Sequence, residues 1–508
     1  MNTLHDVLTS VVNRFGDRVA FDSPDGQLTF RQFGSHVNRL AGALSSLGIK
    51  KGDRVAILAT NCVDYIAYHY ATASLGAILL VLNVRHTEVE LQWAINDAEP
   101  SALIIGTDFQ AMLGNLQAAC VSVEYTIAIG EKGTADYSTS NLYEMQKPFT
   151  PPAELSELDP ALLIYTSGTS GRPKGTLQTH QGSIVIDQLT ANSLEIQEND
   201  VYLAFMPYFH QAGLIRTRAT LLNGGVNLVR GKVDPETLIA CILEQNVSIT
   251  MLPPPYDELL MKIANERQLA FPSLRFIIGG GGMGVRHAER MRLFCERFAC
   301  RYMGVYGQTE VTGPATVITD DDYFSRPESC GKPMAGIGLE IWDENKNPVP
   351  TGSIGEIVIS GKTCIPRYWR NDEANRELYS GAWLHTGDMG RLDAEGFLFL
   401  KGRIKELIKT GGENVYPKEV EDVLFQHDAI EDVAVIGLPD PGQWGEKVAA
   451  VVVLKPGESL SANEVKDFCG RKIANYKIPK SLKCVDSLPR NHSGKVLKRV
   501  LQEQFNLS

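Results

Sequence analysis

Residues 165–175 read Tyr-Thr-Ser-Gly-Thr-Ser-Gly-Arg-Pro-Lys-Gly and follow the apolar run Ala161–Tyr165. Glycines and small hydroxyl residues let backbone N–H and side-chain O–H groups converge on phosphate oxygens without steric block. Lys174 can neutralise phosphate charge, and Pro173 stiffens its approach. The loop is not a Walker A sequence: counted from Gly168, the residue before Lys174 would have to be glycine, and it is Pro173.

Upstream, the pattern is that of an α/β protein. Leu4, Val7, Leu8, Val11, Val12 and Phe15 recur at helical spacing with Asp6 and Arg14 between them, which is no signal peptide. Thr29 and Gln32 form a capping-box pattern. One apolar stripe follows, Phe30, Phe33, Val37, Leu40, Leu44 and Leu47, and Gly48 can end it. Strand 54–58, helix 64–75 and strand 78–82 make a βαβ unit, so a parallel sheet is expected. Further strands are expected at 275–278 and 434–436. After about Arg403 short helices and strands alternate, with helices at 418–425 and 462–472 and strands at 433–437 and 448–454. About a hundred residues suffice for a small α+β domain.

The bulk numbers agree. The 508 residues are 44% apolar and 21% charged, an ordinary globular composition with a large core. The net charge of −11 means that a phosphate-bearing ligand must be held by a local arrangement, and it argues against nonspecific nucleic-acid binding. Nine scattered cysteines without a C-x-x-C fit a reducing compartment and no zinc site. The most apolar stretch, 71–84, is shorter than the roughly 20 residues of a membrane span, so a cytoplasmic protein is expected.

The eleven-residue string resembles the phosphate loop of the adenylate-forming superfamily, which holds acyl-CoA synthetases, amino-acid adenylation domains and luciferases. The resemblance covers nearly the whole chain, because further motifs follow in that family's order: Tyr306-Gly307-Gln308-Thr309-Glu310, His385-Thr386-Gly387-Asp388, Gly402-Arg403-Ile404-Lys405, the segment 409–417, and Pro489-Arg-Asn-His-Ser-Gly-Lys495. It implies a large ATP- and acid-binding domain, 1–403, of parallel-rich sheets flanked by helices. A small mobile α+β domain, 404–508, would turn about a hinge near Lys405.

The roles follow residue by residue as implications of the resemblance. Thr166, Ser167, Gly168, Thr169, Ser170 and Lys174 cradle the phosphates of ATP. Glu310 holds magnesium, a hard cation suited to oxygen ligands. Thr309 meets the reacting carboxylate and α-phosphate. Tyr306, with Gly307 and Gln308, lies along the adenine, which Gly281 backs. Asp388 takes the ribose hydroxyls and Arg403 grips ribose or phosphate. Lys495 bridges carboxylate and α-phosphate as charge builds, worth roughly 3–4 kcal/mol in the transition state. Gly411 and Gly412 admit the pantetheine arm of coenzyme A, Asn414 sits over the nucleotide, and Trp444 and Lys477 touch coenzyme A.

On the acid side, His210 in Met206-Pro-Tyr-Phe-His-Gln-Ala-Gly213 stands where amino-acid-activating relatives carry an aspartate, which disfavours amino acids. Gly279, Gly280, Gly281 and Gly282 suggest extra room for a bulky acyl group. One departure is Pro366-Arg367-Tyr368-Trp369, where related ligases show Gly-Tyr-Trp; the segment is read as outside the chemistry. The expected activity is acyl-CoA synthesis: ATP-dependent adenylation of a fatty or aromatic acid, then thioester formation with coenzyme A. Loading of a carrier-protein phosphopantetheine, a luciferase-type oxygenase and a silent nucleotide-binding regulator remain alternatives. The expected partners are a small carboxylic acid, ATP and coenzyme A, with a homodimer left open and neither nucleic acid nor a transmembrane segment expected.

Overall fold

A computed structural model describes residues 2–145, 147–166, 173–231, 233–253, 256–410, 413–440, 445–490, 494 and 496–506. Its first long helix, Phe30–Ser46, is built as its sequence requires. Thr29 Oγ1 accepts from the Gln32 N–H at 3.2 Å, and the Gln32 side chain accepts from the Thr29 N–H at 2.8 Å. Phe30, Phe33, Val37, Leu40 and Leu44 are wholly buried, and Gly48, with φ of +92°, turns the chain away.

Strands Arg54–Leu58 and Ile78–Val81 pair in parallel across helix Val63–Leu75. They belong to a seven-stranded sheet in the spatial order 137–138, 125–129, 102–106, 54–58, 78–81, 160–166, 174–179. All its pairs are parallel except the last, the hairpin Pro160–Thr166 with Lys174–Thr179. Neighbouring strands here are apolar on both faces, as helices on both sides require.

A second sheet has fourteen strands among the described residues. Its parallel half carries Val19–Ser23, Val226–Val229, Val201–Ala204, Ile249–Met251, Phe276–Gly280 and Arg301–Gln308 side by side. Antiparallel strands continue it: Gly313–Thr319, Ser329–Pro333, Leu398–Arg403, Trp383–Leu392, Gly355–Ser360 and Gly338–Trp342. One core joins the two sheets. It holds Val55 and Ile57 of the first, Tyr202 and Ile278 of the second, and helices 63–75 and 211–222. Both helices are buried almost all round, as elements enclosed by protein must be.

Beyond the turn Ile404–Glu406 the chain builds a hairpin, 408–410 with 413–415, and a three-stranded sheet, Ile430–Pro439, Glu446–Leu454 and Ser481–Cys484. Helices Pro417–Leu424, Ala462–Gly470 and Lys498–Asn506 accompany it. Its clusters of buried residues begin at Ile408 and include nothing earlier. The fold is thus α/β, a large parallel-rich part followed by a smaller α+β part. Among the described residues no helix is long and apolar enough to cross a membrane.

Buried histidines give the fold an acid limit. Burial lowers His180 and His287 to about 4 each from 6.5; Asp159 opposes this at His180, while Arg290 adds to it at His287. Both stay neutral in the fold while an unfolded histidine protonates below 6.5. Their stabilisation is therefore full above pH 6.5 and is lost as pH falls towards 4, by about 3 kcal/mol each. The thermal midpoint should drop steeply across that window. In a His180→Asn/His287→Gln variant, which keeps an acceptor for the Leu4 N–H at position 180, the drop should be visibly shallower by calorimetry.

Candidate active site

The hairpin 160–179 closes with Thr166 opposite Lys174, so both ends of the expected phosphate loop are held in register. Ser167, Gly168, Thr169 and Ser170 lie outside the described residues. Thr166 Oγ1 lies 3.4 Å from the Lys174 carbonyl and 3.5 Å from Glu310 Oε1. Glu310 gets there because strand Arg301–Gln308 ends in a single turn, Thr309–Val311, and reverses through Thr312 and Gly313, both at positive φ. The Gln178 side-chain amide, itself fully buried, donates to the Thr309 carbonyl at 3.4 Å.

Tyr368 completes this corner, which corrects the reading of 366–369 as outside the chemistry. The segment runs antiparallel to strand Lys174–Thr179, with the Trp369 N–H donating to the Gly175 carbonyl at 2.7 Å. That contact delivers the Tyr368 hydroxyl to Glu310 Oε1, to which it donates at 3.2 Å, and puts the ring 4.9 Å from Lys174 Nζ. Burial, then the Glu310 carboxylate, raises the Tyr368 phenol, so it remains a donor.

The nucleotide-side acids form a second constellation. Asp388 and Arg403 face each other on paired strands, and Arg403 Nε donates to Asp388 Oδ1 at 2.9 Å. The Tyr306 hydroxyl donates to Asp388 Oδ2 at 2.8 Å. Burial opposes charge on Arg403, but Asp388 and then Glu310 outweigh it and hold its pKa up. Burial and Asp388 raise Tyr306 far above its usual range. Tyr306 therefore sits in the core beneath the cleft floor rather than on its surface, while Gly307 and Gln308 do line the cleft.

Thr166, Lys174, Thr309, Glu310, Tyr368 and Arg403 open on a cleft of about 2020 Å³, with Asp388 and Tyr306 behind its wall. Its walls include Thr166, Lys174, His210, Thr309, Glu310, Gly387 and Arg403 from the large part. From beyond the turn at Lys405, which is exposed and also lines it, come Lys409, Asn414, Arg490 and Leu497. Lys495 lies outside the described residues. Its loop is pinched by a bridge between Arg490 and Val496 and by the Leu497 N–H donating to the Pro489 carbonyl at 2.8 Å. Gly411, Gly412 and Trp444 also lie outside the described residues. Lys477 is not brought to the cleft: it pairs with Glu419 at 2.6 Å.

His210 caps helix Gln211–Leu222, its Nδ1 accepting from the Ala212 N–H at 3.1 Å. Desolvation in the cleft wall, then Arg216 and Arg85, lower its pKa, so the ring is neutral. The glycine run contradicts expectation. Gly279, Gly280, Gly281 and Gly282 provide no room and do not line the cleft. A Cβ on Gly279 would meet the Tyr302 hydroxyl at 2.5 Å, one on Gly280 the Met283 sulfur at 3.1 Å, one on Gly281 the Cys330 Cα at 2.9 Å, and one on Gly282 the Cys330 Sγ at 2.9 Å. At Gly281 and Gly282 the bare backbone lets the chain that follows strand 276–280 lie against Cys330.

With this geometry in place, comparison with known proteins is direct. Residues 8–369 match the model of the AMP-binding enzyme family, and 419–495 that of the AMP-binding enzyme C-terminal domain. The chain belongs to the AMP-binding enzyme family. This AMP-binding enzyme is 31% identical to the long-chain-fatty-acid–CoA ligase FadD13 of Mycobacterium tuberculosis, over 95% of its own chain and 94% of that protein. It is 27% identical to the anthranilate CoA ligase AuaEII in complex with anthranoyl-AMP, with a TM-score of 0.88 and coverage of 99% and 97%. It is also 27% identical to the O-succinylbenzoate coenzyme A synthetase of Bacillus subtilis in complex with ATP and magnesium, with a TM-score of 0.83 and coverage of 98% and 99%.

Sequence reading missed Tyr368, Gln178 and Gln211. The Gln211 amide donates to Gln178 Oε1, continuing a polar line from Thr309 to the helix that His210 caps. No spacing announces such contacts, since Tyr368 and Glu310 are 58 residues apart. The correction at the glycine run has a measurable consequence. Gly281→Ala should lower stability by about 1–3 kcal/mol through overpacking against backbone, while the chain-length preference for the acid stays unchanged in a CoA-dependent AMP-release assay.

Proposed function

We propose that this AMP-binding enzyme is an AMP-forming acid–CoA ligase working in a reducing, cytoplasmic setting. The observation that carries the reading is convergence. Both ends of the phosphate hairpin, Glu310, Arg403 and both ends of the loop bearing Lys495 open on one cleft.

A carboxylate is a poor acyl donor because its leaving group would be oxide. In the first step its oxygen attacks the α-phosphorus of ATP, the bond to pyrophosphate breaks, and an acyl-adenylate forms. Thr166 and Lys174 hold the departing phosphates, and Asp388 with Arg403 holds the ribose. Among the described residues no cluster of three or more His, Cys, Asp or Glu could hold a metal by itself. Glu310 is the residue that would hold magnesium, a hard cation suited to a carboxylate and phosphate oxygens. Bound there, it would offset the charge that develops on pyrophosphate.

In the second step the thiol of coenzyme A gives up its proton and attacks the acyl carbon, and the bond to AMP breaks. Lys495 serves the first step and obstructs the second. Residues 404–508 are therefore inferred to form a mobile domain that turns about Lys405 between the two.

A panel of fatty and aromatic acids should produce AMP release that depends on both acid and coenzyme A. Absence of pyrophosphate exchange with every acid would overturn the assignment. Lys495→Ala should abolish adenylation, by about 10²-fold or more, yet leave thioester formation from supplied acyl-adenylate largely intact. Equal loss in both half-reactions defeats the two-state scheme. Glu310→Gln should reduce kcat by about 10²-fold and raise the magnesium concentration needed for half-maximal rate; unchanged magnesium dependence would remove Glu310 from the metal.

A further inference from the structure

Lys498 opens the last helix, Lys498–Asn506, and joins it to two segments behind the cleft. Its Nζ donates to Glu421 Oε1 at 2.7 Å, on helix Pro417–Leu424, and lies 3.3 Å from Glu406 Oε2, on the turn Ile404–Glu406. The Lys498 and Glu421 side chains are each 16% exposed, and that of Glu406 is 21% exposed. Burial disfavours the lysine's charge, but Glu421 and then Glu406 outweigh it and raise the pKa, so the ammonium is kept. Glu421 is itself fixed, since the same Oε1 accepts from the Val435 N–H at 2.8 Å on strand Ile430–Pro439.

A lysine is a poor choice for the first turn of a helix, where the macrodipole favours anions. The far half of this helix is held without it. Leu501 is buried in a cluster with Ala434, Ile436 and Leu488, and the Gln502 amide donates to the Gly437 carbonyl at 3.2 Å. Where Lys498 sits suggests what its two ion pairs are for. Ile404, Lys405 and Leu407, on either side of Glu406, line the cleft, and so does Leu497, the neighbour of Lys498. A line of contacts thus runs from the small sheet through Glu421 and Lys498 to the residue that follows Lys405. The loop that ends at Lys498 also bears Lys495, three residues earlier.

We propose that Lys498 is a positioning residue for the adenylation step. It straps Glu406 to the small part, so that the chain bends at Lys405 and not beyond it. It also fixes the start of the last helix, and so the end of the loop leading into it, relative to that turn. The proposal rests on the acid–CoA ligase reading and adds a residue to its first half-reaction. Lys498 does not line the cleft and takes no part in bond making.

The test reads the two half-reactions separately: acid-dependent pyrophosphate exchange for adenylation, and thioester formation from supplied acyl-adenylate and coenzyme A. Lys498→Met keeps an unbranched side chain and removes its charge. It should cut kcat for exchange by about 10-fold or more with KM for ATP nearly unchanged, because small misplacements of a reacting group are costly. Thioester formation should stay within about threefold of the unmodified enzyme, since Lys495 serves only the first step. Lys498→Arg should recover most of the loss, as a guanidinium can still meet both carboxylates. In a Lys495→Ala background Lys498→Met should add no further loss, because groups acting as a unit are not additive. Unchanged exchange in Lys498→Met overturns the proposal. So does an equal loss in both half-reactions, which marks an ion pair that only stabilises the fold. Should Lys498→Met fail to fold, Glu406→Gln, which leaves the Glu421 pair in place, carries the same comparison: selective loss of exchange supports the proposal, and equal or no loss overturns it. Exchange by the unmodified enzyme with any acid upholds the ligase reading whatever the variants do; exchange with none removes both.

Discussion

Asp388 is a buried carboxylate shared between a phenol and a guanidinium, and the layout of the site depends on it. Its two oxygens tie Tyr306, on a central strand of the large sheet, to Arg403, on the last strand before the chain leaves for the small part. Removing Arg403 would leave the Asp388 carboxylate buried without its counter-charge, which typically costs about 3–5 kcal/mol. The pair is therefore a rigid reference at the cleft floor. Lys405 lies two residues past the clamp, on a short exposed turn. The clamp thus holds the chain up to Arg403 to the large sheet, and the exposed turn begins only after it.

Much of the fold was legible because local and global signals agree. The capping box at Thr29, the stripe from Phe30 to Leu44 and the βαβ unit at 54–81 each use one period that only one structure satisfies. Boundaries shifted where pairing extends past the apolar run. The strand expected at 433–437 runs from Ile430 to Pro439, because its long antiparallel partner continues through Glu446–Leu454. The fourteen-stranded sheet could not be read, because its order depends on crossovers between distant segments.

The site divides in the same way. Residues contiguous in sequence arrive together because one strand carries them, 306–310 at a strand end and 385–388 within strand Trp383–Leu392. Tyr368 and Gln178 act through pairings across sheets, which spacing cannot reveal. The glycines at 279–282 were misread because a missing side chain has two meanings, space for a ligand or space for neighbouring backbone. The Cys330 main chain 2.9 Å from an added Cβ at Gly281 decides for the second. The sequence singles out neither Arg216 nor Arg218, yet both are buried. Composition does not disclose that a helix is enclosed on all sides.

The nucleotide and acid ends obey different physics, and this explains why likeness over a whole chain says little about the acid. In the proposed reading ATP is held by hydroxyls, a lysine and carboxylates, groups that do not depend on which acid is activated. The three similar proteins are named for a long-chain fatty acid, anthranilate and succinylbenzoate, chemically unlike acids. An apolar pocket separates acids differing by one methylene by only about 1–3 kcal/mol, so shape alone makes a weak filter. A buried guanidinium is a stronger one, because a neutral tail leaves its desolvation uncompensated. Asp187 supplies that compensation at Arg218, accepting from its Nε and Nη2.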